Sequence, residues 1–136
     1  MSSNPVDVVL DFERRINSRS PALIAELLAT DSVFIDSLGS RVQGLNRLRG
    51  AWEGYFRIVP DYSISHEEIF QHDDWVAMFG TARGTFSQDG RIQKENFWTT
   101  TAAWLARVED GKISSWQIFS DNEPIRAIMR KPSGKE

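Results

Sequence analysis

Three side chains of this sequence could move a proton: Asp36, Asp121 and His66. Asp36 comes two residues after Phe34, and a carboxylate held beside apolar residues loses hydration and becomes a better proton acceptor. A second carboxylate in a different environment, such as Asp121, could take the acid role. Histidine is the natural proton shuttle near neutral pH. We therefore predict these three residues as catalytic candidates, with Asp36 as the general base.

Each of these residues also has a structural interpretation. The sequence Asp-Ser-Leu-Gly that starts at Asp36 is typical of a turn in which the Asp side chain binds backbone amides. Asp121 or Asn122 could cap a short terminal helix begun by Pro124. A strand histidine without a motif beside it, such as His66, is commonly a hydrogen-bonded or surface residue. The catalytic and the structural interpretation of each residue both stay open from the sequence.

Aromatic residues are the second feature that bears on function, because the chain holds eight Phe, five Trp and two Tyr. Large rings can line a flat, apolar cavity or fill a core and a dimer face. On one strand, large and small residues alternate from Trp98 to Trp104, which favours a cavity wall. The predicted ligand-binding residues are Trp52, Tyr55, Phe56, Trp98, Thr100, Trp104 and Trp116.

Composition excludes several other functions. The chain has 136 residues, no Cys, two His and a net charge of −3. Thiolate chemistry and disulfides are therefore excluded, and no overall basic field favours nucleic acid or anionic lipid. His72 lies beside Asp73 and Asp74, but adjacent residues of an extended chain point apart, so we predict no metal site. We expect no cofactor, no nucleic-acid or membrane partner, and a soluble, cytoplasmic protein.

The first third of the chain has helical patterns. Asn4-Pro5 and Ser20-Pro21 are signals for a helix cap followed by the first turn. Apolar residues then repeat at helical spacing, the second stripe being Leu23, Ile24, Leu27 and Leu28. A short strand is predicted over 32–36, and a third helix between Gly44 and Pro60.

The rest of the chain has the pattern of four strands. They are predicted at Ser63–Phe70, Trp75–Phe86, Gln93–Arg107 and Lys112–Ser120. The turns Asp89-Gly90 and Asp110-Gly111 indicate tight hairpins, so these strands must be antiparallel. Helices followed by such a meander predict an α+β fold. We expect one domain over 1–136 with a flexible tail at 130–136, and a homodimer, because the strands carry apolar residues on both faces.

Several local motifs occur in an order typical of one superfamily. They are Asp31–Gly39, Val59-Pro60-Asp61, Gly80–Thr85 and Asp110–Ile113 followed by Trp116 and Asp121. The chain resembles the nuclear transport factor 2-like superfamily, and within it the SnoaL-like polyketide cyclases and the ketosteroid isomerases. The resemblance implies a cone in which a curved antiparallel sheet wraps around three N-terminal helices and encloses an apolar pocket. It also places Asp36 at the position of the isomerase general base.

The sequence departs from these relatives at the positions of their other catalytic groups. Phe12 stands at the position that resembles that of the isomerase tyrosine. Ala102 or Ala103 stands at the position that resembles that of the second acid. Ala82 replaces a histidine common in the cyclases. None of these side chains donates a hydrogen bond, so we predict no standard ketosteroid isomerase activity.

Two functions therefore remain open from the sequence. The first is an isomerase, cyclase or dehydratase that uses Asp36 on an apolar, oxygenated small molecule. The second is a non-catalytic ligand-binding or dimerisation module. A general base alone supplies only about 10²–10⁴-fold acceleration, so a catalytic function needs further donors that the sequence does not identify.

Overall fold

The computed structural model describes residues 4–131, which form four helices and one six-stranded sheet. The helices are α1 (Pro5–Ser18), α2 (Pro21–Glu26), α3 (Leu45–Ile58) and α4 (Glu123–Met129). The strands are β1 (Leu28–Ile35), β2 (Arg41–Gln43), β3 (Ser63–His72), β4 (Trp75–Thr85), β5 (Phe97–Glu109) and β6 (Lys112–Ser120). The predicted α+β class is confirmed.

Local capping chemistry determines where the first two helices begin. The Asn4 side chain accepts a hydrogen bond from the Val6 amide, and the Ser20 hydroxyl accepts one from the Leu23 amide. Both caps are followed by a proline in the first turn, as the sequence predicts. The apolar stripe predicted for the second helix was wrong at its end, because α2 ends at Glu26 and Leu28 begins β1.

The sheet is curved and unclosed, with strand order β2-β1-β6-β5-β4-β3. Strands β3 to β6 form the predicted antiparallel meander. The pairing of β1 with β6 is parallel, which is an exception to the antiparallel sheet that the resemblance implies. Parallel neighbours need a long connection, and here most of the chain separates the two strands. This pairing brings the end of β1 beside the middle of β6, where Phe34 is opposite Trp116.

One of the two predicted tight hairpins is correct. Asp110 and Gly111 both have positive φ, and Glu109 pairs directly with Lys112 across the turn. The prediction at Asp89-Gly90 was wrong, because pairing between β4 and β5 stops at Thr85 and a short 3-10 helix precedes β5. The Ser87 amide donates to the Ile58 carbonyl instead, which draws the chain toward α3.

Two strand glycines permit the close approach of neighbouring groups. A Cβ on Gly80 would lie 1.9 Å from the Ser65 carbonyl oxygen, beside a register shift between His66 and Glu68. A Cβ on Gly84 would lie 2.3 Å from Val59 Cγ1. Gly80 therefore permits the backbone contact at the register shift, and Gly84 permits close packing against Val59.

The core lies between the helices and the inner face of the sheet. Its fully buried members include Phe12 on α1, Ile24 on α2, Leu48 on α3, and Met78 and Trp104 on the sheet. Large apolar side chains also occur on the opposite, outer face of the sheet, where they are exposed. Within residues 4–131, no helix has the length and apolar character needed to span a membrane.

Of the tail predicted at 130–136, Arg130 and Lys131 lie within the described part of the chain. Arg130 forms an ion pair with Glu123 on the preceding helix. The remaining residues, 132–136, lie outside the described residues.

Candidate functional site

A cavity of about 330 Å³ lies between α3 and the inner face of the sheet. Most of its wall is apolar, and its polar groups come from the turn after β1, from the segment after β6 and from two tyrosines. The lining residues are Phe34, Asp36, Ser37, Ser40, Val42, Leu48, Ala51, Trp52, Tyr55, Tyr62, Trp104, Trp116, Ile118 and Asn122. An apolar cavity with a few convergent polar groups is typical of a small-molecule site.

Asp36 lies in the turn between β1 and β2, directly after the last residue of β1. Its Oδ1 accepts hydrogen bonds from the amides of Leu38 and Ser40, both at 2.9 Å. Within residues 4–131, no protein group donates to Oδ2. The turn predicted at Asp36 is thus present in the structure. It leaves Oδ2 of this cavity-lining residue free to accept a proton.

A short polar chain lies beside this turn. The Asn122 amide group donates to the Ser37 hydroxyl at 2.6 Å, and the Ser120 hydroxyl donates to the Asn122 carbonyl oxygen at 3.2 Å. Ser37 and Asn122 both line the cavity. The segment after β6 is therefore fastened to the turn that carries Asp36.

Four of the seven predicted ligand-binding residues line the cavity: Trp52, Tyr55, Trp104 and Trp116. The other three lie nearby without lining it. Phe56 packs on Trp52 with ring centroids 5.5 Å apart. Trp98 is buried with its ring centroid 6.2 Å from that of Tyr62, and Thr100 donates a hydrogen bond to the Asp121 carbonyl.

The structure does not bring Asp121 and His66 to this cavity. Asp121 is exposed, and its carboxylate accepts from the amide of Glu123, the first residue of α4. His66 is partly buried between β3 and α1, where its Nδ1 lies 2.9 Å from both carboxylate oxygens of Glu13. Both contacts match the structural interpretations, and a catalytic role for either residue stays a prediction.

Sequence reasoning missed Tyr62, which lines the cavity next to Tyr55. Their ring centroids are 4.9 Å apart, edge to face. Burial raises the pKa of the Tyr55 phenol. Burial also raises the pKa of the Tyr62 phenol well above 10.0, with a smaller contribution from Tyr55. Both groups therefore stay protonated at neutral pH and can donate hydrogen bonds into the cavity.

The signal for Tyr62 was present in the sequence. It directly follows Val59-Pro60-Asp61, one of the motifs that carry the resemblance, and the chain has only two tyrosines.

Within residues 4–131, no cluster of three or more His, Asp or Glu side chains could hold a metal ion. The chemistry that the cavity offers is thus proton acceptance by a carboxylate and hydrogen-bond donation by phenols.

Comparison with protein families gives a match to the SnoaL-like domain over residues 9–116. The chain belongs to the SnoaL-like family. The match contains Asp36 and the cavity-lining aromatic residues from Trp52 to Trp116. A comparison of this SnoaL-like protein with curated proteins finds no match.

Solved structures with the same fold cover nearly the whole SnoaL-like chain. IdmH from Streptomyces antibioticus, a candidate polyketide cyclase, is 26% identical, with a TM-score of 0.76 over 93% of this chain and 98% of that chain. A protein with a ketosteroid isomerase-like fold from Catenulispora acidiphila, solved with trimethylamine, is 15% identical, with a TM-score of 0.79 over 96% of both chains.

A third solved structure is a candidate SnoaL-like polyketide cyclase from Shewanella denitrificans. It is 12% identical, with a TM-score of 0.79 over 93% of this chain and 96% of that chain. At 12% and 15% identity, these likenesses establish the nuclear transport factor 2-like fold for the SnoaL-like protein. Fold alone does not assign a reaction.

Proposed function

We propose that this SnoaL-like protein catalyses proton transfer on an apolar, oxygenated ring compound, with Asp36 as the general base. The observation that carries the proposal is that Asp36 lines the cavity with one oxygen fixed by two backbone amides and the other free. A general base must come within hydrogen-bond reach of the proton that it removes, and its position in the cavity wall puts Asp36 next to a bound ligand.

The reaction begins at a carbon next to a carbonyl group. The C–H bond breaks, its electron pair moves through the forming enolate onto the carbonyl oxygen, and the proton moves to Asp36 Oδ2. Return of that proton to a different carbon is an isomerisation. In a cyclisation, the enolate carbon attacks a second carbonyl, whose oxygen takes the proton back from Asp36. In a dehydration, the enolate expels a β-hydroxyl, which takes the same proton and leaves as water. All three proposed outcomes therefore share the same first step.

The size and lining of the cavity suggest the substrate class. A cavity of about 150 Å³ lined by apolar residues holds a benzene molecule, so the 330 Å³ available here suits about two fused rings. Trp52, Trp104 and Trp116 offer flat surfaces for such rings. The candidate cyclase assignment of IdmH, at 26% identity, supports a ring-forming or ring-modifying reaction.

Deuterium exchange tests this function without knowledge of the natural substrate. The bicyclic ketone 2-tetralone is incubated with the protein in D₂O, and incorporation of deuterium next to the carbonyl is followed by NMR. We expect the wild-type protein to accelerate exchange over buffer. An Ala51→Trp variant, which places a large ring at the cavity from α3, should lose the acceleration. Ala127→Trp, on the exposed part of α4, is the matched control.

The alternative function, a ligand-binding module without catalysis, predicts a different result in the same experiment. The ketone would bind and quench the fluorescence of the cavity tryptophans, but deuterium would enter at the buffer rate. Native mass spectrometry of the purified protein would then identify a retained ligand. Binding without exchange would contradict the proposed catalysis.

The outer face of the sheet supports a second proposal, that two copies of the chain associate there. Phe70, Phe79 and Phe119 are about half exposed on this face, and Phe70 and Phe79 pack together at 6.1 Å. Exposed apolar clusters of this kind are typical of interfaces. Sedimentation should give a dimer for the wild type and a monomer for Phe79→Glu. Ile92→Glu, equally exposed in the loop before β5, is the control.

A further inference from the structure

The two phenol groups of the chain come together in the cavity. Tyr55 is on α3 and Tyr62 lies between α3 and β3, yet their rings meet edge to face at 4.9 Å and both line the cavity. Neither hydroxyl makes a hydrogen bond to another group within residues 4–131. Because both residues line the same cavity and neither hydroxyl has a partner in this part of the protein, both are available to a ligand atom that accepts hydrogen bonds.

The segment that carries Tyr62 is held from three sides. The Tyr62 amide donates to the Val59 carbonyl at 3.2 Å, and the Arg19 guanidinium donates to the Tyr62 carbonyl at 3.1 Å. Next to it, Asp61 binds the amide and the hydroxyl of Thr85 on β4, both at 2.7 Å. A donor that acts on a transition state must be fixed in advance, and the backbone of Tyr62 meets this condition.

The chemistry of the cavity defines what such a donor would do. When Asp36 removes a proton next to a carbonyl, negative charge develops on the carbonyl oxygen. Phe12 and either Ala102 or Ala103, which stand at the positions that resemble those of the isomerase donors, have no side-chain group that stabilises this charge. The raised pKa values of both phenols keep them protonated, so they can donate when the charge forms.

We propose that Tyr55 and Tyr62 are catalytic residues that donate hydrogen bonds to the substrate carbonyl oxygen while Asp36 removes the proton. This inference rests on the proposed function and adds the hydrogen-bond donors that stabilise the negative charge on the substrate oxygen. It restricts the substrate class to ketones or phenolic compounds whose oxygen reaches the two phenols. Loss of a single oxyanion donor typically slows a reaction by about 10²–10³-fold, and this is the contribution that a base alone lacks.

The test uses 2-naphthol, a two-ring probe whose anion resembles an enolate. Binding is measured in the Asp36→Asn background, because the neutral amide removes the charge that would repel the anion. Absorbance distinguishes bound naphtholate from bound naphthol. In this background, we expect Tyr62→Phe and Tyr55→Phe each to lower naphtholate affinity by about tenfold or more. Affinity for naphthalene, which has no oxygen, should stay unchanged and reports that the cavity is intact.

The possible outcomes separate this inference from the function on which it rests. Equal naphtholate affinity with and without the phenol hydroxyls would overturn the inference, while stronger naphtholate binding to Asp36→Asn than to the wild type would still support Asp36 beside the ligand. If neither naphthalene nor 2-naphthol binds the wild type or Asp36→Asn, the proposed function fails and the inference fails with it.

Discussion

Asp61 binds Thr85 through both of its carboxylate oxygens, one to the backbone amide and one to the hydroxyl, each at 2.7 Å. Thr85 is buried at the end of β4. This contact joins the segment before β3 to the strand that follows it. It therefore holds Tyr62, the next residue, at the wall of the cavity.

Replacement of Asp61 should be costly because it leaves buried donors without partners. For Asp61→Ala we expect a loss of about 2–4 kcal/mol in the free energy of unfolding, since each unsatisfied buried group costs about 1–3 kcal/mol. Urea denaturation measures this change. Asp31→Ala, at an exposed position of β1, is the control and should change stability by less than about 0.5 kcal/mol. Equal effects of the two substitutions would contradict the structural role of Asp61.

Replacement of two glycines by alanine should change the stability of the protein in opposite directions. A Cβ at Gly84 would lie 2.3 Å from Val59 Cγ1, and Val59 is fully buried, so Gly84→Ala should destabilise by about 1–3 kcal/mol. Gly50 is on α3 with no atom within 4 Å of its added Cβ. Gly50→Ala should therefore stabilise by about 0.5–1 kcal/mol through helix propensity. Thermal denaturation of both variants would reveal the opposite shifts, and shifts of the same sign would be inconsistent with the packing at Gly84.

The two tyrosines should make stability fall at alkaline pH. Their pKa values are raised in the folded protein above the ordinary 10.0. Above pH 10.0 the unfolded chain loses these protons while the folded protein keeps them, so the free energy of unfolding falls as pH rises. Below that pH the contribution is fully present.

Because the chain has only two tyrosines, tyrosinate absorbance reports on this pair alone. Native protein should show little tyrosinate where the urea-unfolded chain shows full ionisation. The double variant Tyr55→Phe/Tyr62→Phe should flatten the alkaline fall in stability. Ionisation of the native protein at the ordinary pH of a free phenol would show that the two groups are open to solvent.

The buried acid Glu13 should contribute to stability through His66. Its side chain is 11% exposed, and both of its oxygens lie 2.9 Å from His66 Nδ1. Glu13→Ala should cost about 1–3 kcal/mol, because the buried contact to the ring is lost. Glu53→Ala breaks the exposed pair with Arg49 and should cost less than about 1 kcal/mol. Chemical denaturation compares the two variants, and a smaller loss for Glu13 than for Glu53 would contradict this account.

Features set by neighbouring residues could be predicted from the sequence. The caps at Asn4 and Ser20 and the turn at Asp110-Gly111 depend on short-range chemistry, and all three are present. The parallel pairing of β1 with β6 depends on residues about 80 positions apart, such as Phe34 and Trp116, and no local pattern encodes it. The loop at Asp89 differs from a hairpin because Ser87 bonds to α3, which is also a long-range contact.

Some residues of the candidate site could likewise be predicted from the sequence and others could not. Asp36 could be predicted as a candidate because its turn motif and its resemblance to the isomerase base are both local in sequence. The partner of His66 could not be predicted from the sequence, because Glu13 is 53 residues away. The motif before Tyr62 marks its neighbourhood, but its position in the cavity depends on the contacts of Asp61 and Arg19 with other elements, which no local pattern encodes.

The central claim is that Asp36 removes a proton from a ligand in the cavity, and Asp36→Asn tests it most directly. Asparagine keeps the side-chain oxygen that accepts from Leu38 and Ser40, so the turn and the affinity for 2-tetralone should be retained. The rate of deuterium incorporation into the bound ketone should fall by about 10²–10⁴-fold, the contribution of a general base. A variant that binds the ketone and exchanges its proton at the wild-type rate would contradict the claim.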